Sequence, residues 1–297
     1  MRAWEELVPQ DFSLRKQRVT PMRPWTNQGL TLVVREDAVS GSVSEKTIIV
    51  TGAGRGIGAE IARDLARNGA KVCVADLNLE AAREVAEAIG GSAIAAKVDV
   101  ADRASTRNLI EETVGAFGRL DVMFNNAGIS QTCPFMDVTE DDWRRIMEVN
   151  GLGVLIGTQE AARQMKAQGT GGKIVNTASI AGKQGYPLFA HYCASKFAVV
   201  ALTQAAARAL APDRITVNAF APGVVRTELW EQLDREFMAL GLTAKPEQAI
   251  DEFSQSILIG RPSRPDDITG VTTFLASTGS DYVTGQTFMV DGGMVLT

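Results

Sequence analysis

Tyr192 and Lys196 stand four residues apart in the run Tyr192-Cys193-Ala194-Ser195-Lys196. On a helix that spacing puts both side chains on one face, so the Lys196 ammonium can approach the Tyr192 phenol. A free phenol titrates near ~10, too high for a base at neutral pH, and a neighbouring cation favours the phenolate. The spacing therefore predicts a lowered Tyr192 pKa and makes Tyr192 a candidate general acid/base. Such chemistry needs no metal. The chain has one histidine, His191, and three scattered cysteines, Cys73, Cys133 and Cys193, which is little material for a histidine-rich metal centre, a CxxC site or a Ser-His-Asp triad. His191 adjoins Tyr192, but helix neighbours point about 100° apart, and a structural or pocket-rim role is expected for it. Cys193 is expected to be a packed small residue. An ordinary helix can also carry one tyrosine and one lysine at this spacing, so the reading needs a second motif.

That motif is Thr51-Gly52-Ala53-Gly54-Arg55-Gly56-Ile57-Gly58, which follows an apolar run and opens a helical pattern. Missing side chains let the backbone turn sharply and bring its N–H groups, with the positive end of the helix, against a pyrophosphate. Tight strand-to-helix turns also use glycine for structural reasons alone. Asp76 adds weight, because it ends the next strand pattern 20 residues after Gly56, where a carboxylate accepts hydrogen bonds from both ribose hydroxyls of a dinucleotide. A 2′-phosphate there would meet a like charge. This ranks NAD above NADP, with the Arg55 guanidinium as the counter-argument, since it can neutralise part of such a phosphate.

These groups need a frame. A strand-then-helix rhythm begins near Lys46: apolar Thr47 to Val50, the glycine turn, then Ile57, Ile61 and Leu65 at helical spacing, closed by Asn68-Gly69, and a second apolar run from Lys71 to Asp76. Further strands are expected at 93–100, 121–126, 173–178, 214–220 and 286–290. Their near-continuous apolar character predicts an α/β Rossmann fold: one doubly wound parallel sheet, helices on both faces, in a single domain over residues 45–297. Asp266 and Asp267, after Pro265, are expected to start a helix, where their charge suits the dipole. Residues 228–264 fall outside the rhythm. So do residues 1–44, where Trp4, Trp25 and a basic group of Arg15, Lys16, Arg18 and Arg23 mix with Glu5, Glu6 and Asp11. A poorly ordered N-terminal extension is expected there, or upstream sequence ahead of an alternative start at Met22.

With 297 residues and 45% hydrophobic content the chain can bury a substantial core, and a net charge of −5 with pI near 5.2 argues against nucleic acid or anionic lipid as general partners. No apolar stretch has the length of a membrane span and the amino terminus lacks a secretory apolar core, so a cytoplasmic setting with free thiols and a small-molecule partner is expected.

Taken in order, the motifs resemble those of the short-chain dehydrogenase/reductase family from about Lys46 to Thr297. TGxxxGxG stands at Thr51–Gly58, Asn125-Asn126-Ala127-Gly128 follows the fourth strand pattern, Asn150 lies in the next helix pattern, Ser179 precedes YxxxK, and Pro222-Gly223 follows the sixth strand pattern. The resemblance implies Tyr192 as acid/base, Ser179 as the hydroxyl holding the substrate oxygen, and Lys196 as the group that binds the nicotinamide ribose and biases Tyr192. It implies that the backbone carbonyl of Asn150 positions a water beside Lys196. Around the cofactor it implies Gly52, Arg55, Gly56, Ile57 and Gly58 in the turn, Asp76 at the ribose, Asp99 and Val100 at adenine, Asn126 beside the adenine ribose, and Val225 and Thr227 at the nicotinamide amide. The family usually forms dimers or tetramers, so a homotetramer is expected, with residues 282–294 near a subunit boundary.

The expected activity is an NAD-dependent dehydrogenase or ketone reductase acting on CH–OH groups. The alternatives are an NADPH-dependent 3-oxoacyl or other ketone reductase, which Arg55 favours, and a non-catalytic cofactor-binding scaffold, against which the intact Ser179, Tyr192 and Lys196 argue. Thr227-Glu228-Leu229-Trp230, with the ending from Ser280 to Val295, resembles the acetoin reductase/2,3-butanediol dehydrogenase branch, which implies small acyloins, diketones and diols. Ile180 and Tyr186 stand where that branch tends to carry polar amides. A less polar pocket of Ile180, Tyr186, Phe189 and Trp230 follows, which opens the range to cyclic or longer secondary alcohols.

Overall fold

A computed structural model describes residues 42–296, so the expected extension over residues 1–44 lies outside the described residues save for its last three. Of these, Val43 is buried in the core and its carbonyl accepts from the Lys46 N–H at 3.1 Å.

Seven strands form one sheet: β1 (Thr47–Thr51), β2 (Lys71–Asp76), β3 (Ala93–Lys97), β4 (Val122–Asn125), β5 (Gly172–Thr177), β6 (Ile215–Pro222) and β7 (Thr287–Val290). Their order is β3-β2-β1-β4-β5-β6-β7 and every pairing is parallel. Alternate side chains of one strand enter opposite cores. Ile48 and Val50 pack with α1 (Gly56–Arg67), α2 (Leu79–Ile89) and α9 (Asp266–Ala276), whereas Ile49 packs with α3 (Arg103–Phe117), α5 (Gly153–Gln168) and α6 (Ala190–Leu210). Burial on both faces is why these strands read as unbroken apolar runs. The chain leaves β1 toward β2 on one side and returns through β4 on the other, which opens a crevice at the carboxyl ends of these strands.

Local chemistry sets the element boundaries. Asn78 caps α2 by accepting from the N–H groups of Glu80 and Ala81, and Asp102 caps α3 through Ala104. The third strand stops at Lys97, short of the expected residue 100, because Asp99 forms a turn: its N–H donates to Ser105 Oγ and its carboxylate accepts from Ala101, both at 3.0 Å. Helix α4 (Glu140–Met147) opens on a Thr139/Asp142 capping box. The segment outside the strand-helix rhythm folds as α7 (Glu228–Ala239) and α8 (Gln248–Ser254). Helix α8 has no side-chain cap of its own. Asp234 of α7 substitutes, accepting from Glu247 N–H at 2.7 Å while Glu247 sits at φ +65, a left-handed conformation unusual for a residue with a side chain.

Candidate active site

The turn after β1 is built to leave backbone donors free. Thr51 Oγ1 donates to the Phe124 carbonyl (3.1 Å) and accepts from the N–H groups of Asn126 (3.0 Å) and Ala127 (3.1 Å), which locks the ends of β1 and β4 together. Gly56 enters α1 at φ +55, and a Cβ on Gly58 would lie 2.3 Å from the Gly52 carbonyl oxygen. Only glycine permits that turn. No side chain caps α1 and no acidic residue lies in its first turn, so its first N–H groups remain available to an anion. Asp76 ends β2 beside this turn. One carboxylate oxygen accepts from Gly54 N–H and the other from Asn78 N–H, both at 2.9 Å, which fixes the group's orientation and leaves a lone pair on each oxygen. Arg55 is exposed and has no ion pair among the described residues. The turn and the carboxylate fit the two phosphates and a ribose of a nicotinamide dinucleotide.

The second half of the site lies past β5. Ser179, two residues beyond that strand, is buried, and its Oγ accepts from Ala181 N–H at 3.1 Å. Tyr192 and Lys196 share a face of α6. Lys196 is 4% exposed, donates to the Thr177 carbonyl at 2.8 Å and lies over the Tyr192 ring, 5.6 Å from its centroid. The spacing thus brings cation and ring together, but the expected fall in the Tyr192 pKa does not follow from it. Burial pushes the Tyr192 phenol up to about 12, against a hydrogen bond with Ser179 that acts to lower it, and burial pulls the Lys196 ammonium down to about 8. Desolvation disfavours both charged forms and dominates both shifts.

Two amides join the halves. Asn126 donates to the carbonyls of Thr51 (2.9 Å) and Gly52 (3.3 Å) and accepts from the Thr177 hydroxyl (3.2 Å), so one side chain spans the glycine turn and the end of β5. Asn150 is fully buried, accepts from Ile129 N–H (2.9 Å), and donates to the Ile129 carbonyl (2.9 Å) and to Ser195 Oγ (3.1 Å). It sits in a π-helical turn (Glu148–Leu152) between α4 and α5, not in a regular helix. Such a turn shifts the carbonyls out of α-helical register.

A single cavity of about 720 Å³ brings together every residue that the sequence singled out for the site except Asn150. At the end beyond Ser179 and Tyr192 its walls are apolar: Ile180, Tyr186, Phe189 and Trp230, joined by Leu233 and Phe253. The last two were invisible in the sequence, because they lie on α7 and α8, where no strand rhythm or motif fixed a register. Thr177 was missed too, since its role rests on a backbone carbonyl. His191 does not line the cavity. It is fully buried with no hydrogen-bond partner on either ring nitrogen, and burial lowers its pKa. All three cysteines are buried free thiols, and Cys193 accepts from the Tyr186 N–H. Among the described residues there is no cluster of three or more His, Cys, Asp or Glu able to hold a metal, and no helix is long and apolar enough to cross a membrane.

Comparison with known proteins places this geometry. The short chain dehydrogenase family model matches residues 46–237. The chain is 46% identical over 256 residues to the L-2,3-butanediol dehydrogenase of Corynebacterium glutamicum and 41% identical over 254 residues to a diacetyl reductase [(S)-acetoin forming] of Staphylococcus epidermidis, in each case over 84% of this chain and 98% of the relative. A Beutenbergia cavernae dehydrogenase structure with bound NADP at low occupancy superposes with a TM-score of 0.76 at 38% identity, over 86% of this chain and 98% of that one. The chain therefore belongs to the short-chain dehydrogenase/reductase family, and it is an oxidoreductase of secondary alcohols and ketones that uses a nicotinamide cofactor.

Proposed function

We propose that the protein interconverts a secondary alcohol and its ketone with NAD(H), Tyr192 moving the proton. What supports the reading is the placement of the Ser179 and Tyr192 hydroxyls in one cavity with a turn that has room and free N–H groups for a pyrophosphate. When bound, the nicotinamide ring supplies or accepts the hydride. In the reducing direction Ser179 and Tyr192 donate hydrogen bonds to the substrate oxygen, which strengthen as that oxygen gains charge, and Tyr192 then releases its proton to it. Lys196 holds its ammonium beside the ring against the resulting phenolate. Asn150 keeps the Ile129 loop and Ser195 in register, so Tyr192 and the loop after β4 stay a fixed distance apart.

NAD is preferred over NADP in this reading because the fixed Asp76 carboxylate can accept from two ribose hydroxyls and repels a phosphate, and the next residue, Leu77, supplies no cation. A homotetramer in the cytoplasm is the proposed state. Its support is the run of exposed large apolar side chains at Phe135, Met136, Trp143 and Phe197 and at Tyr282, together with three free thiols. Absorbance of the reduced nicotinamide, followed over a panel of ketones and alcohols with each cofactor, tests the activity and the cofactor at once. Turnover with NADH well above NADPH is expected. Equal or better turnover with NADPH would contradict the cofactor assignment.

A further inference from the structure

We propose that the substrate carries a hydrocarbon ring, as a cyclic or aryl secondary alcohol or its ketone, and that Phe253 is the residue that sets this preference; the proposal rests on the oxidoreductase reading above. Phe253 of α8 is the centre of an aromatic cluster. Its ring centroid lies 5.5 Å from Trp230, 6.0 Å from Phe237, and 6.4 Å from both Tyr186 and Phe189, at interplanar angles between 54° and 77°. Phe189 in turn meets the Tyr192 ring at 6.5 Å and 66°. These rings come from four segments: the turn before α6, helix α6 itself, helix α7 and helix α8. Phe237 of α7 also meets Phe189 directly, at 6.0 Å and 49°, and Phe253 is the ring through which α8 joins that wall.

Ile180, Tyr186, Phe189, Trp230, Leu233 and Phe253 line the same cavity as Ser179 and Tyr192. Ser179 and Tyr192 are committed to the reacting oxygen. Ser130 also contributes to the wall, but its hydroxyl is buried beneath the surface. No hydrogen bond joins the Tyr186 phenol to another described residue, and burial raises its pKa, which leaves it a neutral group able to donate one hydrogen bond and accept another. A polyol would carry several hydroxyls out of water into these walls, and most would find no partner. A four-carbon acyloin satisfies the polar groups but leaves the aromatic walls unfilled, forfeiting contact for each missing methylene. A ring fills the walls and meets the aromatic edges and faces in the geometry they prefer.

The test compares kcat/KM of the NADH-loaded enzyme for cyclohexanone, acetophenone, acetoin and fructose. The ring ketones are expected to exceed acetoin and fructose by roughly tenfold or more. In Phe253→Ala the ring-ketone value should fall roughly tenfold while that for acetoin changes less than about threefold. Phe253→Leu keeps apolar volume, guards against a folding defect, and should fall between the two, with the NADH-induced rise in melting temperature preserved. Acetoin or fructose turned over as well as the ring ketones overturns the proposal, as does a Phe253→Ala or Phe253→Leu enzyme that binds NADH normally yet loses all substrates equally. No turnover with any ketone or alcohol and either cofactor instead overturns the oxidoreductase reading itself.

Discussion

The Lys196 ammonium is anchored to the Thr177 carbonyl at 2.8 Å and thereby held over the Tyr192 ring, 5.6 Å from its centroid. The end of β5 thus sets where the cation stands relative to the Tyr192 phenol. In the protein alone burial keeps the phenol neutral, with its pKa at about 12, while the Lys196 ammonium, at about 8, stays mostly charged at neutral pH. The phenol needs further positive charge to ionise, and an oxidised nicotinamide carries it.

Tyr192 should therefore ionise only with cofactor present. The ultraviolet phenolate signal of wild type minus Tyr192→Phe is expected to stay flat to about pH 11 without cofactor and to shift downward when NAD+ is added. A phenolate titrating below about pH 10 without cofactor would contradict the balance described.

Lys196 carries a stability cost that can be measured. Its folded pKa lies below the unfolded value, so the native state binds fewer protons than the unfolded chain between about pH 8 and 10.5, and stability rises with pH across that window. Lys196→Met removes the cost. Urea unfolding at pH 7 should show a gain of about 1–2 kcal/mol that vanishes near pH 10.5, accompanied by a collapse in activity. A Met variant less stable than wild type at pH 7 would show that the Thr177 hydrogen bond matters more than desolvation.

Asn150→Ala leaves the Ile129 N–H and carbonyl and the Ser195 hydroxyl without their side-chain partner. A loss of about 1–3 kcal/mol in unfolding free energy is expected, with kcat falling more than cofactor affinity. Unchanged stability in urea would mean the π-helical turn holds itself.

Asp76→Ala should narrow the ratio of kcat/KM for NADH over NADPH by roughly tenfold. Because the carboxylate also accepts from Gly54 and Asn78, KM for NADH should rise as well. Asp76→Asn keeps one acceptor oxygen and should spare part of that rise. A ratio that does not move in either variant would place cofactor selection elsewhere, with Arg55 the first residue to test.

The sheet was legible in the sequence because parallel strands buried on both faces leave unbroken apolar runs, and the crevice because glycine spacing and Asp76 follow from backbone geometry. Tyr192, Lys196 and Ser179 were legible by spacing and motif. The sign of the Tyr192 shift was not: i,i+4 spacing reports proximity but carries no measure of desolvation, which here dominates. Phe253 escaped for another reason. Its neighbours Tyr186 and Phe189 are more than sixty residues away in the chain, and only the packing of α7 and α8 brings the rings together. Strand ends such as Lys97 were set by turn hydrogen bonds that an apolar pattern does not reveal.

Tyr192→Phe isolates the proton transfer proposed for Tyr192. The substitution keeps the ring, its contact with Phe189 and the Lys196 ammonium above it, and deletes one oxygen. With NADH and a ketone that the wild type reduces, kcat should fall by about a hundredfold or more while the dissociation constant for NADH changes less than about threefold. A Tyr192→Phe enzyme that binds NADH as before and still reduces the ketone at near wild-type rate would mean that another group supplies the proton.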